Sequence, residues 1–340
     1  MTNFSTYGEI LIRLATRDFT SLSSAEAYNL YVGGAESNVA VALSQWGMTS
    51  RIISAIPDNG LSRKVLSKLR SYEVITDHIA LIGDKMGFYM TDEGSGVKPS
   101  SVIYDRAKSS FSNHQLETAV VDNSTNNTDW FHWTAITPAV SQNTSDNLSK
   151  ILNHFDPNET KISADLNYRS KLWKWGKKPH EVIPEMIKSC NVLITTEESV
   201  DIMLSQEVSK APEEIDSTYY DDLTFRLFET YANLEYVFIP VRRTISARNN
   251  TITLFGRSRE GALRQAPVVN ITEMVDRIGA GDAMAAGIIN CISKGHEMDE
   301  TLSFAVMASA FKHAIPGDCI EATEDEIWNV VKGNKAKIDR

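Results

Sequence analysis

Asp276-Arg277-Ile278-Gly279-Ala280-Gly281-Asp282-Ala283-Met284-Ala285-Ala286-Gly287 is the stretch from which the rest of the chain is best read. Its two early glycines and small neighbours let backbone approach an anion closely, and the apolar run after them reads as the first turns of a buried helix. At such a start the peptide N–H groups of Gly279, Ala280 and Gly281 point at a phosphate, with the helix dipole behind them. Asp282 stands among those donors. A carboxylate beside an anion site repels the ligand unless it has a task, and the task that fits is taking a proton from a hydroxyl that attacks a phosphoryl group. Read locally, the same residues also make a helix N-terminus with an Asp cap, so the surroundings must decide.

Those surroundings alternate strand and helix. Glu9 to Leu14 and Arg51 to Ile56 are short apolar runs that predict strands. Between them Gly33-Gly34 opens a second run, Ser37 to Trp46, with small and apolar residues at helical spacing. Further strands are expected at Trp130–Trp133, Lys161–Asp165, Val192–Thr195 and Tyr236–Pro240. Such alternation predicts an α/β fold with a mostly parallel, helix-covered sheet. Ligands of such sheets sit beyond the carboxyl ends of the strands, where Asp165-Leu166-Asn167-Tyr168-Arg169 falls. Phe88-Tyr89-Met90 and Val102-Ile103-Tyr104-Asp105-Arg106, with Gly94, Gly96 and Pro99 between them, predict an aromatic hairpin that projects as a lid. Asp122 to Asp129, rich in Asn, Ser and Thr, is expected as an exposed loop.

Composition narrows the function classes. A chain of 340 residues with 42% hydrophobic and 23% charged residues is an ordinary globular chain with a substantial core. Its net charge of −10 argues against nucleic acid as the main partner. No basic segment followed by an apolar run opens the chain, and no apolar run reaches about 18 residues, so neither a signal peptide nor a membrane span is expected. Three cysteines, Cys190, Cys291 and Cys319, without metal-type spacing, fit a reducing cytoplasm. The P-loop, the dinucleotide Gly-x-Gly-x-x-Gly, the Gly-x-Ser-x-Gly elbow and His-Glu-x-x-His are all missing from the sequence.

Two glycine signatures, Asp276 to Gly287 and Gly33-Gly34-Ala35-Glu36-Ser37-Asn38-Val39-Ala40, resemble those of the ribokinase-like (pfkB) carbohydrate kinases. With Gly8 to Leu14, Val102 to Arg106, Asp165 to Arg169 and Pro316-Gly317-Asp318, the likeness extends to the 2-keto-3-deoxygluconate kinases and spans residues 8 to 318. It implies one ribokinase-like domain over 1–340, a three-layer sandwich with a mostly parallel central sheet and a small β-strand lid drawn from about 10–35 and 86–112. It also implies ATP-dependent phosphorylation of a keto-deoxy sugar acid on its terminal hydroxyl. Asp282 would be the base, and the Gly279, Ala280 and Gly281 backbone the anion hole.

The same resemblance implies sugar contacts at Gly34 and Asn38, lid-side contacts at Tyr89, Tyr104 and Arg106, a carboxylate contact at Arg169 and a hydroxyl contact at Asp318. It places nucleotide contacts at Thr196, Arg242, Thr244, Ala247, Gly279 and Gly281, and Mg²⁺ near Glu198, with a monovalent cation and a homodimer or larger homo-oligomer as further expectations. An arginine fork matches a carboxylate, and Asn38 offers both donor and acceptor to a hydroxyl. The nucleotide half departs from the family pattern. Arg277 stands where most relatives have Thr, Val241 to Ala247 lacks the usual glycine, and Thr196-Glu197-Glu198-Ser199 replaces an Asn-x-x-Glu-like segment. Alternatives are a kinase for fructose or ribose, or a sugar-binding relative without catalysis. Each residue taken singly also has a plain structural reading: surface ion pairs for the arginines, a cap for Asn38, cross-strand packing for the tyrosines and a turn for Asp318.

Overall fold

The computed structural model describes residues 1–92, 94, 98–156, 158–205 and 215–333. Gly96, at the expected hairpin tip, lies outside them. The strands in chain order are β1 (Asn3–Tyr7), β2 (Leu11–Thr16), β3 (Tyr28–Gly33), β4 (Thr49–Ile56), β5 (Ile79–Leu81), β6 (Gly87–Asp92), β7 (Ser101–Asp105), β8 (Trp130–Thr134), β9 (Lys161–Asp165), β10 (Val192–Ile194), β11 (Tyr236–Thr244), β12 (Asn250–Ser258), β13 (Arg264–Gln265) and β14 (Val269–Ile271). Among the described residues the large sheet runs β13-β12-β11-β10-β9-β8-β1-β4-β5, with β14 paired to β12. From β5 to β11 every pairing is parallel; β12 and its neighbours are antiparallel.

Alternation along the parallel strands sends side chains into two apolar cores, one on each face. Ile52 and Phe238 enter one core, Ile53, Val237 and Ile239 the other. Helices cover both. On one side Ala35–Gln45 and Ala280–Ser293 pack with Met298–His313. Gly287 lets two of these helices touch, since a Cβ there would lie 2.8 Å from Ala305 Cα. The result is the α/β sandwich with a mostly parallel sheet that the alternation predicts.

A second sheet stands apart, in the order β3-β2-β6-β7. β6 and β7 form the expected antiparallel hairpin, with Tyr89 opposite Tyr104, and β2 joins them in parallel. β1 is a strand that the residue pattern did not predict. Asn-Phe-Ser-Thr-Tyr is short and half polar, yet its four last residues are buried between β4 and β8. The expected loop 122–129 is corrected in its first half, while 126–129 is loop as expected. Residues Thr118–Thr125 form a helix in which Ser124 and Thr125 are buried and bond back to Val121 O, the local option that lets these residue types sit in a helix.

Candidate active site

The carboxyl ends of β1, β8, β9 and β10, the two glycine-led helix starts and the small sheet enclose a cleft of about 750 Å³. Gly279 caps the helix Ala280–Ser293 in the left-handed region, φ +81. Only glycine fits there, because a Cβ would lie 1.8 Å from Asp318 O. Asp282 falls in the first helical turn, 8% exposed. Across the cleft Gly34, φ +132, opens the helix Ala35–Gln45 and delivers Asn38, whose Nδ2 donates to Asp282 Oδ2 at 2.6 Å. The two glycine-led helices, 244 residues apart in sequence, thus meet through these side chains.

Acids crowd the inner wall. Burial is the main cause that raises the Asp282 carboxyl to about 7; Asp165 and Glu36 add to it, while Asn38 and Arg169 pull it down. Asp165, at the end of β9, is likewise raised to about 7, chiefly by burial. Glu36 is fully buried and accepts from Thr134 N, Thr134 Oγ1 and Thr137 Oγ1 at 3.2, 2.7 and 2.7 Å; burial raises its carboxyl too. A buried base held near neutrality is suited to proton transfer at physiological pH.

Basic groups line the outer wall. Arg169, after β9, is exposed, and its contact within the protein is NH1 to Tyr168 O at 3.1 Å. Arg242, Arg243 and Arg277 also line the cleft, and among the described residues none of these four has a carboxylate ion-pair partner. Burial, followed by Arg277 and Arg169, makes the Arg242 guanidinium easier to deprotonate than usual. Arginines without carboxylate partners around a helix N-terminus make an anion-attracting rim.

On the small-sheet side the cleft is lined by Tyr89 and Tyr104, ring centroids 6.0 Å apart. Arg106 lines the cleft, but its guanidinium is held by Glu9, with Nε to Oε2 at 2.6 Å and NH2 to Oε2 at 2.5 Å. Ser109 Oγ donates to the other oxygen of Glu9 at 2.5 Å.

The cleft therefore gathers Gly34, Asn38, Tyr89, Tyr104, Arg106, Arg169, Thr196, Glu198, Arg242, Gly279, Ala280, Gly281 and Asp282. Three expected contacts lie outside it. Asp318 is buried behind the wall, where its carboxylate pairs with Arg13 and accepts from Tyr89, so it presents no oxygen to a cleft ligand. Thr244 ends β11, beyond the lining residues. Ala247 borders a separate cavity of about 50 Å³, and its carbonyl accepts from Arg277 NH2 at 3.0 Å.

Glu9, Glu36, Asp165 and Arg243 also line the cleft; from the sequence none of them was assigned a contact, although Asp165 was placed at a ligand-binding strand end and Glu36 within a glycine signature. Glu9 and Asp165 had a sequence signal, because each is an acid at the edge of an apolar run. No group of three His, Cys, Asp or Glu converges as a metal cage among the described residues. Glu198, exposed in the first turn of Glu197–Leu204, lines the cleft beside Glu197. That donor set suits Mg²⁺ carried on substrate phosphates, which needs only one or two protein carboxylates.

The family model described as pfkB family carbohydrate kinase matches residues 1–219 and 255–323. A 2-dehydro-3-deoxygalactonokinase of Haloferax volcanii is 28% identical over 336 residues, 98% of each chain. The crystal structure of 2-dehydro-3-deoxygluconokinase from Thermotoga maritima superposes with a TM-score of 0.91 at 29% identity, over 98% of this chain and all of that one. A sugar kinase of Pyrococcus horikoshii in complex with ATP, 19% identical, shares the fold with a TM-score of 0.72 over 95% of this chain and 96% of that one.

Proposed function

The chain belongs to the pfkB family of carbohydrate kinases, and we propose that it transfers the γ-phosphoryl group of ATP to the terminal hydroxyl of 2-keto-3-deoxygluconate, giving the 6-phosphate. That it is a sugar kinase of the branch holding the 2-keto-3-deoxy sugar acid kinases follows from its relatives. The choice of sugar acid and the roles of individual residues are our own reading. The observation that carries it is Asp282, a carboxyl poised near neutrality, held by Asn38 at the start of a helix whose N–H groups face the same cleft.

In this mechanism the sugar lies under Tyr89 and Tyr104, with hydroxyls on Gly34 and Asn38 and its carboxylate on the exposed guanidinium of Arg169. Asp282 takes the proton of the terminal hydroxyl as that oxygen bonds to the γ-phosphorus. The bond from phosphorus to the bridging oxygen breaks, and ADP leaves. Negative charge on the transferred group meets the N–H groups of Gly279, Ala280 and Gly281. Such fixed donors stabilise developing charge without reorganising. Arg242, Gly279 and Gly281, with Thr196, form the nucleotide side, and Glu198 is the carboxylate offered to phosphate-bound Mg²⁺, which neutralises phosphate charge when present. Arg106 acts through Glu9 to shape the wall. Tyrosine rings over the sugar limit access of water to the reacting phosphoryl group.

A neutral sugar such as fructose or ribose would offer Arg169 no anionic group, which disfavours that alternative. The epimeric 2-keto-3-deoxygalactonate is a second substrate reading, favoured by the Haloferax relative. A coupled ADP-release assay over both sugar acids and the neutral sugars tests the proposal. Turnover of the sugar acids supports it. Binding without ADP release would make the chain a sugar-binding relative.

A further inference from the structure

Behind the Gly279 loop lies a buried charge cluster of which the mechanism above uses only Tyr89. Its centre is Arg13, an arginine in the otherwise largely apolar strand β2 and only 2% exposed. NH1 donates to Asp276 Oδ1 at 3.0 Å, NH2 pairs with Asp276 Oδ2, and Nε lies 2.8 Å from Asp318 Oδ1. Asp276 uses its remaining acceptor capacity on the chain around the loop. Ile278 N donates to Oδ1 and Gly317 N to Oδ2, each at 3.0 Å.

All the neighbouring lid strands reach the same cluster. Tyr89 of β6 donates its hydroxyl to Asp318 Oδ2. Tyr31 of β3 lies under the Arg13 guanidinium, 4.7 Å from carbon to ring centroid. Gly33, at the end of β3, has no room for a Cβ, which would lie 2.0 Å from Asp318 Oδ2. Lys312 completes the cluster: it is fully buried, with Nζ donating to Ile315 O at 2.8 Å.

Two buried carboxylates sharing one guanidinium fix geometry strongly. Removing the shared partner leaves two buried carboxylates facing only the Lys312 ammonium, which is far costlier than losing a surface pair. The planar fork matters as well as the charge. Its two terminal nitrogens hydrogen-bond both oxygens of Asp276 while Nε sets charge against Asp318, which a single lysine ammonium cannot do. Asp276 is only three residues before Gly279 and already holds the Ile278 peptide, so its orientation sets where the loop begins.

We infer that Arg13 is a positioning residue: it registers the Gly279–Asp282 loop against the lid strands that cover the cleft, so that lid and anion loop move as one unit. For its kinetic consequence the inference rests on the phosphoryl-transfer role proposed above; the mechanical coupling stands without it.

The test is Arg13→Lys in the full chain, read by hydrogen exchange and by kinetics. Amides of Ile278 to Ala283 are expected to exchange roughly tenfold faster or more, together with those of β2 and β6, while β9 amides keep their wild-type rates. With the thermal midpoint still above the assay temperature, kcat is expected to fall about 10- to 100-fold, as small displacements of reacting groups do. Unchanged loop exchange would overturn the inference. So would equal acceleration in β9, which marks a merely structural role. If wild type lacks kinase activity, the proposed function fails while the exchange result still decides the coupling. Should Arg13→Lys not fold, Asp318→Asn, which removes one carboxylate but keeps the shape, is read on the same peptides with the same expectation.

Discussion

Replacing Asp282 by Asn removes an ionisable group while keeping its size and an oxygen for Asn38 to donate to, so activity and stability should change in opposite directions. In the folded chain the Asp282 carboxyl titrates at about 7 against an ordinary 3.8, with burial as the first cause. Below about pH 4 it is protonated in both folded and unfolded states and has no effect on stability. Between 4 and 7 the folded state keeps a proton that the unfolded state has lost, so stability falls as pH rises. Above 7 the full penalty is present. At about 1.36 kcal/mol per pH unit the shift sets a ceiling of about 4 kcal/mol. Asp165 titrates in the same range and shares the effect, so a gain of about 2–3 kcal/mol is expected for the variant. A chain of 340 residues shifts its midpoint by about 1.4 °C per kcal/mol, which makes the variant about 3–4 °C more heat-resistant at pH 8 and equal to wild type near pH 4. Calorimetric melts at the two pH values read this, and ADP release should fall at least about a hundredfold. A variant keeping more than about a tenth of wild-type kcat, or one destabilised equally at both pH values, would refute the reasoning.

Asn38→Ala removes the bond that pulls the Asp282 carboxyl down, so the acid limb of kcat/KM should move to higher pH; an unmoved limb contradicts the assignment. Arg169→Ala should raise KM for the sugar acid roughly 10- to 100-fold, the worth of a charged hydrogen bond, and leave neutral-sugar kinetics alone. Gly279→Ala forces a left-handed alanine, about 1–2 kcal/mol, onto a clash with Asp318 O, so lower thermal stability and loss of turnover are expected together. The outer face of the lid exposes Leu30 and Ile103, and light scattering should find a dimer that Ile103→Glu separates.

How much of this was legible in the sequence depends on the reach of each interaction. The Gly279 loop and its small-residue helix are local, so their pattern reads directly. The parallel strands show as apolar runs because they are buried on both faces, as Val192–Ile194 is. β1 was missed because Ser5 and Thr6 are buried polar residues with partners elsewhere in the fold, Thr128 and His132. Helix Thr118–Thr125 was missed for a similar reason, since Ser124 and Thr125 satisfy themselves on the helix backbone.

Within the cleft, Asn38 meeting Asp282 is a tertiary event that no local pattern shows, and only the family resemblance brought the two together. Asp318 shows the limit of such transfer. It sits beside the site, yet it is buried, ion-paired with Arg13 and accepting from Tyr89. The signal for Arg13 was present, since a charged residue inside an apolar strand needs a buried partner, but Asp276 lies 263 residues away.

The most direct measurement is steady-state ADP release by the purified chain with Mg²⁺, ATP and 2-keto-3-deoxygluconate at neutral pH, with the product identified by mass and phosphorus NMR. The proposed mechanism predicts one ADP and one sugar-acid 6-phosphate per turnover, lost in Asp282→Asn and far weaker with fructose or ribose. ADP release that survives in Asp282→Asn, or a preference for a neutral sugar, would contradict it.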